Sequence, residues 1–272
     1  MPIFRLTDLN SRRLDPYRSL RTTNLTRVSG KFIAESKPLV QRLVASGLGI
    51  DSFVIDEKHI DEATRCLPAD VDLFTIPGDL VSELIGFAFH RGYLACGIRP
   101  QFQTVEGTAW AFTARWVGAM LVGLQDPENM GSIFRTCAAL GISDILIGPE
   151  CVDPFARRVL RVSMGNAFKL RFFNVSNPMA ALRWCSENGV ESISACLSKR
   201  SEELSGFERN GPGLVVFGNE AHGLSEEIQN TASRSVRIDM ALGTDSLNVS
   251  VAAGIILHNL CRDCRTGRLD SP

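Results

Sequence analysis

No stretch of this 272-residue sequence approaches the roughly 18–20 uninterrupted apolar residues of a membrane span; the most apolar run, Val249 to Leu257, is about half that length. The N-terminus, MPIFRLTDLNSRRLD, lacks the apolar core of an export signal, so a cytoplasmic protein without a membrane partner is expected. In such a reducing compartment the eight cysteines stay as thiols. Cys137 and Cys196 sit in apolar periodic segments, where thiols act as packing groups. Cys261 and Cys264 follow His258 without a second ligand pair at zinc spacing, so no metal is expected. Net charge is also missing: 29 Lys and Arg oppose 30 Asp and Glu, which gives no global pull toward nucleic acid. No GxGxxG follows a strand pattern and no GxxxxGK(S/T) occurs, which disfavours a dinucleotide dehydrogenase or a P-loop NTPase.

Charge is present locally. Residues 1–31 hold Arg5, Arg12, Arg13, Arg18, Arg21, Arg27 and Lys31 against two acids, a net of +5, whereas residues 51–110 sum to -6. Residues 111–200 carry ten bases and seven acids, and 24 of all 29 bases are Arg, whose planar fork suits phosphate. A basic arm over residues 1–25 fits either a solvated tail or an RNA contact.

Residues 26–100 read as a small α/β unit. Lys37 to Ser46 has helical apolar spacing and ends at Gly47; Asp79 to Phe89 is helical; Phe53 to Ile55, Val71 to Ile76 and Tyr93 to Ile98 are strand-like. Residues 101–115 begin polar and unpatterned and are the candidate linker. From 116 to 266 strand and helix alternate. Strands are expected near 119–124, 144–148, 170–175, 191–197, 214–217 and 236–240, and helices over 127–140, 155–163, 179–188, 225–232 and 246–262. This pattern predicts an α/β domain with a mainly parallel sheet and helices on both faces.

Three clusters carry polar groups suited to chemistry. In LQDPENMGSIFRTCAALG, Asp126 and Pro127 start a helix whose apolar stripe is Met130, Ile133, Phe134, Cys137 and Ala138; Asn129 and Arg135 fall outside it. In LVVFGNEAHGLS an apolar strand runs into Gly218, Asn219 and Glu220, then Gly223, with Ser225 as a helix cap. In RIDMALGTDSLNVSVAAGIIL a strand and a loop lead to a helix opening at Asp245 to Asn248. Ser246 and Asn248 there can cap or contact substrate. The helix from Val249 is apolar around most of its circumference, so it is buried or forms an interface. Each cluster alone also fits a capped helix or a turn.

In combination, DPxNxGxxxRTxxxxG, GNExxGLS and SLNVSVA resemble the SpoU/TrmH family of S-adenosylmethionine-dependent RNA ribose 2'-O-methyltransferases, of the SPOUT superfamily. The N-terminal AESKPLVQRL and HRGYLACGIRP resemble the L30e-like domain that precedes the catalytic domain in the ribosomal RNA branch of that family. The resemblance implies a C-terminal trefoil knot, a homodimer, and S-adenosylmethionine bound by backbone atoms at Leu197, Gly218, Asn219, Ile238 and Leu247. It gives the chemistry to Asn129, Arg135, Glu220, Ser246 and Asn248, with Arg135 anchoring a phosphate and stabilising the 2'-oxygen, because a guanidinium with a pKa above about 12 is a poor base. Arg157, Arg158, Arg161, Lys169 and Arg171 offer an RNA-backbone surface, with a solvated face as the alternative. Ala221-His222 departs from the family's usual wording without removing a presumed catalytic group. Ribosomal RNA is the leading substrate; transfer RNA, or a non-catalytic RNA-binding relative, are the alternatives.

Overall fold

The computed structural model describes residues 2–20, 26, 29–89, 91–198 and 200–261. Arg21, Arg27 and Cys264 lie outside them, as do the last residues of the expected 246–262 helix and of the expected 116–266 domain. In chain order the elements are β1 (Ile3–Arg5), β2 (Lys31–Glu35), α1 (Lys37–Ser46), β3 (Ile50–Asp56), α2 (Ile60–Cys66), β4 (Asp72–Ile76), α3 (Gly78–Ile85) and β5 (Tyr93–Ile98). There follow β6 (Gln103–Thr104), β7 (Val117–Leu121), α4 (Pro127–Leu140), β8 (Asp144–Ile147), α5 (Arg157–Val162), β9 (Arg171–Asn174), α6 (Pro178–Glu187) and β10 (Glu191–Ala195). The chain ends with β11 (Glu202–Glu203), β12 (Gly213–Phe217), α7 (Glu226–Thr231), β13 (Arg234–Arg237) and α8 (Val249–Leu260). No helix among the described residues is long and apolar enough to cross a membrane.

The chain divides into two compact units. The first combines the described residues up to Gln101 with Asp153–Phe168. Its sheet runs β1-β4-β3-β5-β2, parallel between β1, β4 and β3 and antiparallel across β5. Leu14, Tyr17, Ile33, Val54, Phe74, Val81, Ile85 and Leu94 form its core. Tyr17 is fully buried and bonds the Ser52 carbonyl at 2.9 Å, so part of the basic arm is a packed element of this unit.

The second unit combines Phe102–Val152 with the described residues from Lys169 onward. Its sheet runs β11-β13-β10-β12-β7-β8-β9-β6, and every pairing is parallel. The alternation in the sequence therefore reads correctly. The order reverses between β7 and β12, so the loops leaving these strands diverge and open a crevice at their carboxyl ends.

Two boundaries differ from the sequence reading. Residues 102–116 belong to the second unit: β6 pairs with β9, and Trp110 stacks on Phe112 and meets Phe173 with ring centres 4.5 Å apart. Asp153–Phe168 lies inside the expected 116–266 domain yet belongs to the first unit. There Phe32 packs on Phe155 and Phe168, Arg99 Nε bonds Asp153 at 2.9 Å, and Arg157 Nη1 bonds Glu35 at 3.0 Å. Aromatic burial across long sequence distances overrides the local polarity that marked a linker.

Candidate active site

Three chain segments converge at the carboxyl ends of β7 and β12. Asp126 caps α4 as expected, its Oδ1 accepting the Glu128 N–H at 2.8 Å, with Pro127 in the first turn. Beyond β12 the chain turns sharply, and Asn219 and Gly223 exchange backbone hydrogen bonds at 3.1 and 2.9 Å. Gly218 permits that turn: a Cβ there would lie 2.4 Å from the Gly223 carbonyl carbon and oxygen. Asn219 fixes the turn from both ends of its amide. Its Nδ2 donates to the Gly123 carbonyl at 2.7 Å, and its Oδ1 accepts the Ala221 and His222 N–H groups.

Glu220 ties this turn to α4. Its Oε1 accepts the Asp126 N–H at 3.0 Å and Asn129 Nδ2 at 3.2 Å, while Oε2 accepts the Gln125 N–H at 3.4 Å. Asn129 in turn accepts Asn248 Nδ2 at 2.9 Å, so residues 129, 220 and 248 form one chain of hydrogen bonds. Burial pushes the Glu220 carboxyl up, but the hydrogen bonds from its own N–H, Asn129, Asp126 and Gln125 outweigh it and hold the carboxyl below its ordinary value. Through these contacts Glu220 braces the turn after β12 against the start of α4.

Asn129 lies off the apolar stripe of α4 yet is only 6% exposed. Its amide finds partners on both sides, which offsets the cost of burying it. The helix expected to open at Asp245 begins instead at Val249, because Asn248 is its N-cap, accepting the Ser250 N–H at 2.8 Å. Ser246 is thus an exposed loop residue and makes no hydrogen bond among the described residues. The preceding strand, expected over 236–240, is Arg234–Arg237.

One cavity of about 800 Å3 is lined by Leu197, Gly218, Asn219, Ile238 and Leu247, the positions the resemblance assigns to cofactor, and also by Glu220, Ser246 and Asn248. Asn129 borders a second cavity that shares the turn from Asn219 to Leu224. Arg135 lines neither. It is exposed on α4 and makes no hydrogen bond or ion pair among the described residues. The carbonyl of Gly123 and the backbone amides of Gln125 and Asp126 were not singled out by the sequence as partners of the turn, although Asp126 was read as the helix start; backbone groups leave no side-chain signature.

The five candidate RNA contacts separate. Arg157, Arg158 and Arg161 lie on α5 in the first unit, and Lys169 and Arg171 lie in the second. Glu35 already pairs with Arg157. Arg171 Nε bonds the buried Asp144 at 2.7 Å, and Trp116 Nε1 holds the other oxygen of that carboxylate at 2.8 Å. Two of the five are therefore neutralised within the fold. Arg161 and Lys169 have no ion pair among the described residues.

Comparison with known proteins agrees with this geometry. The SpoU rRNA Methylase family model matches residues 117–258. An uncharacterized tRNA/rRNA methyltransferase of Mycobacterium bovis is 31% identical over 94% of this chain and 90% of its own length. The 23S rRNA (guanosine-2'-O-)-methyltransferase RlmB of Acinetobacter baylyi is 29% identical over 68% of this chain and 75% of its own. Among solved structures, an AdoMet-bound rRNA methyltransferase from Sinorhizobium meliloti superposes with a TM-score of 0.83 at 23% identity, covering 97% of this chain and 98% of that one. With more than half its length matched by the family model, the chain belongs to the SpoU rRNA methylase family.

Proposed function

We propose that this RNA methyltransferase of the SpoU family transfers the methyl group of S-adenosylmethionine to a ribose 2'-hydroxyl of ribosomal RNA. The observation that carries the reading is the single cavity uniting the five candidate cofactor positions with Glu220, Ser246 and Asn248. Its volume lies within the roughly 300–1,000 Å3 of small-molecule sites. Phe217, Val236 and Ile256 give it an apolar wall for an adenine ring, and Glu220, Glu226 and Asp245 give it carboxylates for a cationic ligand. That donor set fits a sulfonium carrying an ammonium, and loop backbone atoms replace the absent phosphate cradle.

The bound cofactor supplies an electrophilic methyl carbon on a sulfonium leaving group. The chain supplies orientation. Glu220 and Asn129 fix the turn beside the cavity, and the Ser246 hydroxyl, without a hydrogen bond among the described residues, is available to the nucleotide. Arg135, a permanent cation with no hydrogen bond or ion pair among the described residues, anchors an RNA phosphate and stabilises the 2'-oxygen as its proton passes to water. Val251 and Ile255 of α8 are 49% and 41% exposed one turn apart, a face suited to a second copy of the chain. Arg161 and Lys169, which have no ion pair among the described residues, offer charge to the RNA backbone. Labelled methyl transfer to total RNA tests the reading. Arg135→Ala is expected to lower turnover at least about a hundredfold with cofactor affinity intact; near-normal turnover would refute its role.

A further inference from the structure

Two walls of the cavity proposed for the cofactor are segments that leave neighbouring strands: Cys196, Leu197 and Ser198 follow β10, and Ile238 and Met240 follow β13. The two strands pair in parallel, and the Cys196 N–H extends the pairing to the Val236 carbonyl at 3.1 Å. Beyond that bond the two segments share no backbone hydrogen bond among the described residues. Arg237, the last residue of β13, spans the gap. Its Nε donates to Asp239 Oδ1 at 3.0 Å, its Nη2 to Glu203 Oε1 at 2.9 Å, and its Nη1 to the Ser201 carbonyl. Ser201 is only 3% exposed, and its hydroxyl lies 3.2 Å from Cys196 Sγ in the first wall. One guanidinium thus ties the chain returning from the first wall to a residue of the second. Arg237 is also the one Lys or Arg in the lining among the described residues. A lone guanidinium would repel a cationic ligand, but Glu203 and Asp239 offset its charge from outside the lining.

We propose that Arg237 is a positioning residue for the cofactor. It staples the segment after β10 to the segment after β13, so that backbone atoms at Leu197 and Ile238 stand at a fixed spacing before the adenosine moiety of S-adenosylmethionine enters. The proposal rests on the reading of this cavity as the cofactor site. With a donor on each of its three nitrogens engaged by the protein, Arg237 acts through these segments and not on the ligand. A wall set in advance spares the ligand the cost of ordering it, so the effect falls on cofactor affinity and not on the chemical step. Arg234 supplies an internal contrast. It anchors the same edge strand β11, with Nε and Nη2 on the two oxygens of Glu202 at 2.7 and 2.6 Å, but lies outside the cavity lining.

The test measures S-adenosylmethionine Kd by calorimetry, methyl-transfer kinetics on total RNA, and Tm for the full chain and three variants. Arg237→Gln is expected to raise cofactor Kd and KM about tenfold, the loss expected of a charged hydrogen bond, with kcat at saturating cofactor within about twofold of wild type. Arg234→Gln is expected to lower Tm at least as far while leaving Kd within about twofold. Asp239→Ala cuts one exposed arm of the staple and is expected to raise Kd about threefold, which keeps the test decisive should Arg237→Gln fail to fold. 5'-Methylthioadenosine, which lacks the carboxylate and the sulfonium charge of the cofactor, separates positioning from direct contact: the Arg237→Gln penalty is expected to persist for it at a similar factor. A penalty confined to S-adenosylmethionine, an unchanged Kd in Arg237→Gln or Asp239→Ala, or an equal rise in Arg234→Gln overturns the assignment. Failure of the wild type to bind S-adenosylmethionine sinks the reading of the cavity, and this proposal with it.

Discussion

The turn after β12 and the loop after β13 both line the cavity proposed for the cofactor, yet they are held in opposite ways. From Gly218 to Gly223 each polar side chain that the motif supplies is bonded to another segment, through Gly123, Gln125, Asp126 or Asn129. From Ala241 to Ser246 every residue is exposed, with the Thr244 N–H to the Ala241 carbonyl at 3.1 Å as the internal bond, and Leu242 projects fully into solvent. One wall is positioned by the protein itself. The other has no hydrogen bond to another segment among the described residues.

If the bonded wall carries the stability of the site, the largest effect belongs to Gly218→Ala. Its Cβ would meet backbone atoms of Gly223 and Leu224 that cannot swing away. A loss of about 3 kcal/mol or more in denaturant unfolding is expected; a loss under about 1 kcal/mol would show that the turn yields and remove the contrast. Asn129→Ala comes next, at about 2 kcal/mol, because it leaves the Asn248 amide without its acceptor and Glu220 short of one donor.

The pH dependence sharpens the same comparison. Glu220 has a folded pKa below its ordinary 4.5, so its bracing is fully present above that value and is lost as pH falls through the lower, folded one. Wild type should lose stability on this acid limb, and Glu220→Gln should flatten it; equal acid limbs in both proteins would deny the brace. The smallest stability effect is expected for Ser246→Ala in the open loop. Unfolding should stay within about 0.5 kcal/mol of wild type while methyl transfer slows. A large drop in stability would mean that the loop is more tightly held than its bonding indicates.

Much of the second unit was legible because its signals are local. The Asp126-Pro127 start, the apolar stripe of α4, the Ser225 cap and the strand-helix alternation depend on neighbours within a few residues. Strand β2 went unread because its five residues sit next to a helix start that carried the stronger pattern. The segment 101–115 looked like a linker because its aromatic residues declare themselves only beside Phe173 and Trp184. Asn129 fell outside the apolar stripe since helical periodicity counts apolar positions and cannot register a buried amide whose partners lie far along the chain.

The sequence alone settled which residues belong to the motifs, where most helices and strands lie, and that the larger sheet is parallel, because periodicity and capping are short-range properties of the backbone. Tertiary structure alone decided that residue 129 meets 248, that Glu220 bonds the Gln125 and Asp126 amides, and that 153–168 joins the first unit. These outcomes follow from the order of strands and the burial of groups up to 122 residues apart, as at Arg157 and Glu35, and no local pattern encodes which distant donor will satisfy a buried acceptor.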